Sequence, residues 1–252
     1  MIKQFHFLCM SNTGYVRVHN EDNFSFFGKY MPREHQSLEG MLEDASAADS
    51  GTAVAIFDGM GGESAGELAS FTAAKYFTDT GSLALKEGAE PGDMILELNR
   101  EVLRARDEEK YSSIGATAVI LKTSPTVVTL ASIGDSRAYL IRGGGMKLLN
   151  RLHTDEAMIE RLGISRKPRI TQGLGSDESE VTLQPSLVHG WAEEGDVFLI
   201  CTGGLTDMVG EEDIAGIIFQ SRTFGEAADA LMREALENGG KDNITFILCR
   251  AE

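Results

Sequence analysis

Cysteine is scarce in this chain, with only Cys9, Cys201 and Cys249 among 252 residues, each in apolar, strand-like surroundings. An odd, scattered set cannot form a disulfide framework, and it fits a reducing cytosol. The histidines at 6, 19, 35, 153 and 189 lack the paired spacing of zinc sites. No apolar run approaches membrane-spanning length and no signal-peptide pattern opens the chain, so the expectation is a cytoplasmic protein without a membrane partner. Positive charge is short as well: Lys and Arg number 23 against 39 Asp and Glu, a formal charge of −16. Such a surface repels phosphate backbones, which argues against nucleic acid as a partner. Solubility accounts for most of this acidity, and a carboxylate cluster awaiting divalent cations would account for a few of the charges. Internal repeats, low-complexity segments and convincing linkers are absent too, so residues 1–252 read as a single domain and the expectation is a monomer.

What is present centres on Val54-Ala-Ile-Phe-Asp58-Gly59-Met60-Gly61-Gly62, continuing to Gly66-Glu67. Four apolar residues read as a buried strand that delivers Asp58 where the strand stops. The glycines then let the backbone turn and approach a ligand closely. A helix pattern begins at Glu63, with Ala65, Leu68, Ala69, Ala73, Tyr76 and Phe77 on one face.

Around this stretch, residues 3–10 read as an edge strand, and strand character returns near residues 16–27. Residues 31–52 read as a long loop. A loop over 81–92 precedes a second helix introduced by Pro91, with Ile95, Leu98, Val102 and Ala105 on one side. From Gly115 β-branched residues dominate, giving strands over 116–123, 127–133, 137–141 and 146–149. A short helix over 155–163, strands over 181–188 and 197–202, a helix opened by the capping box Thr223-x-x-Glu226, and a strand over 244–249 complete the order. Strands and helices come in blocks, which favours packed sheets flanked by helices over a doubly wound sheet.

Acids punctuate the ends of these strands: Glu21-Asp22, Asp58, Asp135 and Asp242, the last three beside glycine or asparagine. Any one alone reads as a turn residue or strand-end cap. Jointly, an oxygen-only donor set favours Mg²⁺ or Mn²⁺ over zinc, and two such ions about 4 Å apart can activate water and clamp a phosphoryl group.

Arg17-Val-His-Asn20-Glu21-Asp22-Asn-Phe24, Phe57-Asp58-Gly59-Met60-Gly61-Gly62 with Gly66-Glu67, Gly115-Ala-Thr117, Gly134-Asp135-Ser136-Arg137-Ala-Tyr139 and Lys241-Asp242-Asn243-Ile-Thr245 resemble, in order, the motifs of the metal-dependent type 2C Ser/Thr protein phosphatases. The resemblance implies an α+β fold, a four-layer α-β-β-α sandwich of two mainly antiparallel sheets flanked by helices. It also implies hydrolysis of phosphoserine and phosphothreonine on protein substrates by metal-activated water, with two Mg²⁺ or Mn²⁺ ions and a third possible. Carried over by position, Asp58 bridges both ions, the Gly59 carbonyl binds one, Asp242 ligates the other, and Glu21 and Asp22 hold ion-bound waters. Arg17 corresponds to the arginine that grips the substrate phosphate; without the motif it reads as a surface strand residue. Asp135 corresponds to an acid tied to the third ion, and reads equally as a tight-turn acid. Met60 stands where some members have histidine, so no side chain is assigned as general acid.

Two departures stand out. In Cys201-Thr202-Gly203-Gly204-Leu205-Thr206-Asp207, Gly203 occupies the place of a metal-ligand aspartate. The reading is therefore an enzyme with a weakened metal position, alternatively a catalytically impaired module that only binds phosphoproteins, or else an introduced substitution at Gly203. In addition, the segment 150–175 is compact where bacterial-type members carry a longer flap, and it gathers Arg161, Arg166, Lys167 and Arg169. It reads as a solvated basic loop or as a rim that docks acidic or phosphorylated peptides.

Overall fold

The structure, a computed structural model, describes residues 1–60, 65–177 and 179–252. Gly61, Gly62 and the helix start expected at Glu63 lie outside them.

One sheet takes the order β3-β1-β12-β11-β8-β9, from Leu42–Ala47, Gln4–Asn12, Ile244–Ala251, Val197–Cys201, Arg137–Arg142 and Gly145–Leu148. The other runs β10-β7-β6-β4-β2, from Ser186–Trp191, Val127–Ile133, Ala118–Thr123, Ala53–Met60 and Asp22–Ser25, with the two-residue β5 (Gly115–Ala116) pairing β4. Every pairing is antiparallel.

Strand alternation sorts the apolar side chains into three layers of core. On β4, Val54 and Ile56 face the other sheet, where they join Phe7 and Cys9 of β1, Ile200 of β11 and Ile247 and Cys249 of β12. Ala55 and Phe57 turn the other way, onto α1 (Gly66–Tyr76), α2 (Ser82–Lys86) and α3 (Pro91–Glu109), against Leu68, Ala73, Ile95 and Leu98. On the far side of the first sheet, Leu199, Phe246 and Leu248 pack against Leu205, Ile214, Leu231 and Ala235 of helices α5 (Gly203–Thr206), α6 (Glu211–Gln220) and α7 (Phe224–Glu237). The small α4 (Glu156–Arg161) lies outside these layers. The result is the four-layer α-β-β-α sandwich expected, and all three cysteines are buried free thiols within it.

Several local expectations need correction. β1 is an inner strand, because residues 42–47 form the edge strand β3 outside it. That segment, Leu-Glu-Asp-Ala-Ser-Ala, is mostly exposed and carries no apolar alternation, so it reads as loop. The first helix continues through Phe77–Gly81 and α2, replacing most of the loop expected over 81–92. The strand expected over 181–188 lies at Ser186–Trp191, and α6 was not expected. Arg17 lies on a loop before β2 and not on a strand. The capping box holds, since the Glu226 amide donates to Thr223 Oγ1 at 3.1 Å, but the Glu226 carboxylate reaches back to the Arg222 amide at 3.1 Å, one residue earlier than the usual pattern.

Gly204 shows how tightly the sheet end meets α5. A methyl group there would run into the Asn243 carbonyl. Gly204→Ala is therefore expected to destabilise the fold by about 1–3 kcal/mol, the range for overpacking a fixed backbone contact. Urea denaturation measures this, and an unchanged midpoint would contradict the close approach.

Candidate active site

The β2–β4 register places Asp22 directly opposite Asp58. Residues opposed in this way project to the same face of the sheet, about 5 Å apart. Asp22 is buried, and its Oδ2 accepts a 2.8 Å hydrogen bond from Thr202 Oγ1. Asp58 keeps a partly open face, and β4 does not stop at it as expected but runs on through Gly59 and Met60, which pair with β5. Its backbone is clamped: the Thr117 amide donates to the Asp58 carbonyl at 2.9 Å, and the Asp58 amide donates to Thr117 Oγ1 at 3.3 Å. Thr117 Oγ1 is in turn 2.6 Å from Ser136 Oγ. The Gly-Ala-Thr and Gly-Asp-Ser motifs thus meet behind Asp58 and fix where its carboxylate starts.

Gly59 must be glycine because the chain crowds it. A Cβ there would lie 2.5 Å from the carbonyl oxygens of both Glu21 and Gly66. The Gly59 amide donates to the Glu21 carbonyl at 3.1 Å, which binds the two acidic segments together.

Asn243 ties in the third segment. Its Oδ1 accepts from the Glu21 amide at 2.8 Å, and its Nδ2 donates to the Thr13 and His19 carbonyls at 2.9 and 3.0 Å. The loop carrying Arg17 is therefore hung from the residue beside Asp242. Arg17 Nη2 donates to Asp242 Oδ2 at 3.0 Å, with both side chains about half exposed.

The electrostatics record the convergence. Burial, then the charges of Asp22, Asp135 and Asp242, push the Asp58 carboxyl well above the usual carboxylate range, opposed by the Gly203 amide. Asp22 is pushed up to about 7, first by burial and further by Asp242 and Glu21, against hydrogen bonds from Thr202 and Thr245. Glu21 is raised by burial and by Glu67. Asp135 is raised by burial, while its own amide, Lys167 and Arg137 favour its charged form. Glu21, Asp22, Asp58, Asp135 and Asp242 thus act on one another as a connected set, with Arg17 at its edge.

Among the described residues no ion pair reaches Asp22 or Asp58. Among the same residues no three His, Cys, Asp or Glu side chains already stand close enough together to hold a metal ion. What the donor set offers is several buried oxygens, negative charge without a matching cation, and one open face. Hard divalent ions suit it on all three counts, and they would relieve the repulsion that raises these carboxyls.

Thr202, Thr117, Ser136 and Asn243 are the supporting residues that the acidic pattern alone does not reveal. Each lies within a motif, but a hydroxyl or amide at a strand end has many ordinary uses. The basic flap also changes character. Arg166 is turned onto Asp155, and Lys167 Nζ donates to Asp207 Oδ2 at 2.8 Å, so neither stands free as a docking rim.

Two antiparallel sheets between helical layers, with acids from separate strand ends meeting at one edge, define the architecture of the type 2C phosphatases. The family model described as Protein phosphatase 2C matches residues 19–171, spanning Glu21, Asp22, Asp58 and Asp135, and the chain belongs to that family. It is 30% identical to the serine/threonine phosphatase stp of Listeria monocytogenes, over 94% of this chain and 92% of that protein. The crystal structure of the Mycobacterium tuberculosis serine/threonine phosphatase PstP superposes with a TM-score of 0.75 at 25% identity, covering 99% of both chains. The catalytic domain of PstP in complex with two manganese ions gives a TM-score of 0.71 at 25% identity over 98% of each chain.

The raised Asp22 carboxyl has a consequence for stability. A carboxyl that titrates higher folded than unfolded holds an extra proton in the native state. That contribution is complete below about pH 4 and is lost as pH rises through about 7. In chelator, the unfolding free energy is expected to fall by roughly 1–3 kcal/mol between pH 5 and pH 8. Asp22→Asn should flatten the profile, measured by urea titration at each pH; a wild-type profile already flat would contradict the burial of this charge.

Proposed function

We infer that the chain is a protein serine/threonine phosphatase that hydrolyses phosphoserine and phosphothreonine monoesters with the aid of Mg²⁺ or Mn²⁺, acting as a cytoplasmic monomer on phosphorylated proteins. The observation that carries this reading is the opposed pair of a buried Asp22 and a partly open Asp58, with no counter-cation among the described residues, in a chain of this family. Asp58 and the Gly59 carbonyl, with Asp242 across the cleft, are the groups we assign to hold the ions, with Glu21 and Asp22 behind them and Asp135 at the outer side. Bound there, the ions supply Lewis-acid activation of a water and neutralise charge on the phosphoryl oxygens.

The remaining work falls to the chain itself. Arg17 presents a planar guanidinium at the open edge, where two parallel N–H donors match two phosphoryl oxygens. Its contact with Asp242 orients that fork while the site is empty of substrate. The Thr117–Ser136 pair keeps the Asp58 backbone from shifting, so the carboxylate needs little rearrangement. No side chain is assigned as the proton donor to the leaving alkoxide, since Met60 stands where a histidine would serve.

Localisation rests on the buried free cysteines; among the described residues no helix is long and apolar enough to cross a membrane. The alternative of an impaired phosphoprotein-binding module rests on Gly203 alone. The relatives named as phosphatases do not favour it.

Hydrolysis of a phosphothreonine peptide across a Mn²⁺ titration tests the reading directly. Activity should vanish with chelator and with Asp58→Asn. Phosphopeptide binding without turnover at any Mn²⁺ concentration would establish the binding module instead. Gly203 provides a second test. A Cβ at this position meets nothing within 4 Å, and its amide already faces the Asp58 carboxylate. Gly203→Asp should lower the Mn²⁺ concentration for half-maximal activity by about tenfold or more, since affinity follows the number of charged ligands. An unchanged requirement would refute the account of the missing ligand.

A further inference from the structure

We propose that the Lys167 ammonium is a resident cation of the acid cluster, occupying its Asp135–Asp207 side in place of a divalent ion and so limiting how many ions the chain takes up. The proposal rests on the metal-dependent reading above.

Lys167 comes from the compact segment after α4, and that segment is built to present it. Asp155 closes the base of the loop. Its Oδ1 accepts from the Arg169 amide at 2.8 Å and from Arg166 Nη1 at 3.3 Å, and its Oδ2 pairs with Arg166 Nη2. Arg166 Nη1 also donates to the Lys167 carbonyl at 3.0 Å, fixing the backbone from which the ammonium extends. A bridge between Thr154 and Ile170 closes the loop a second time. From this base Lys167 Nζ reaches Asp207 Oδ2 at 2.8 Å, across to the segment that follows α5.

The carboxylates that act on Lys167 are, in order, Asp207, Asp135 and Asp242. Asp135 in turn feels Lys167, Arg137 and Asp207. An ammonium paired with Asp207, whose charge also favours the ionised form of Asp135, does electrostatically part of what a bound ion does there, but with one charge and a tether. An ion drawn to Asp207 must compete with it. The Lys167 side chain is 78% exposed and Asp207 41%, so the pair is one of the weaker kind. It biases metal uptake without forbidding it.

The test is Mn²⁺ binding to the metal-free chain by calorimetry, with the bound ions counted by electron paramagnetic resonance. The wild type is compared with Lys167→Gln, Lys167→Arg and the double variant Lys167→Gln/Asp135→Asn. Lys167→Gln should take up one more ion, or bind its weakest ion roughly two- to fivefold more tightly, the range of an exposed ion pair. Lys167→Arg, which keeps the charge, should match the wild type, and the double variant should lose the gain. Urea midpoints establish that all the proteins are folded, and a merely structural role would move those midpoints and leave the ion count alone. Lys167→Gln binding Mn²⁺ as the wild type does would overturn the inference while leaving the metal reading intact. A gain that persists in the double variant would place the extra ion elsewhere and overturn it too. If neither wild type nor Lys167→Gln binds Mn²⁺, the metal reading fails and takes the inference with it.

Discussion

Negative charge is concentrated where β2 meets β4, and the surrounding structure exists to hold it there. Two carboxylates about 5 Å apart repel by about 3 kcal/mol at an effective dielectric of 20. Here both belong to directly opposed residues of paired strands, so the backbones that carry them cannot separate without breaking the sheet. The burial of Asp22 adds a desolvation cost, met in part by the Thr202 hydroxyl. A fold of this size has only a modest margin of stability, so such an arrangement persists only where the rest of the molecule packs well. The three apolar layers on either side of and between the sheets supply that packing.

Position is transmitted to the site through backbone contacts more than through side chains. Gly59 touches the Glu21 carbonyl, Thr117 holds the Asp58 peptide from both sides, and Asn243 binds the Glu21 amide while suspending the loop that carries Arg17. These contacts join residues far apart in the chain, so the acids cannot drift independently. A change in the Asn243 amide would reach Arg17 and Glu21 together. For this reason the short motifs around the acids, with their glycines, threonines and asparagine, do as much as the strands to set where the carboxylates stand.

The same division explains what was legible in the amino-acid order. Strands such as β4, β6 and β12 are buried on both faces and announce themselves as apolar runs, and the acids stand out because they interrupt those runs. β3 does not announce itself, because an exposed edge strand has no face to hide and its Leu-Glu-Asp-Ala-Ser-Ala reads as loop. The helix after Gly210 was hidden by three consecutive acids and an internal Gly216, although acids in a first turn favour a helix N-terminus. Arg17 was recognisable only through its neighbours in the motif. Its contact with Asp242 lies across most of the chain, and no local pattern encodes it. Lys167 was visible as one of several basic residues, but its pairing with Asp207 depends on a loop closed by Asp155 and Arg166.

Gly203 and Lys167 lie in different segments, yet they shift the site in the same direction. Gly203 leaves out a carboxylate beside Asp58, and Lys167 brings a positive charge to Asp207 and Asp135. Either change alone would disturb a site whose acids were balanced against a fixed number of divalent ions. Together they leave less negative charge to be neutralised, one beside Asp58 and the other at Asp207. Asp22 keeps its burial and its hydroxyl partner, and Asp58 keeps its open face. The opposed carboxyls themselves are thus still present where their mutual repulsion raises them, and it is there that a divalent ion would gain most by binding.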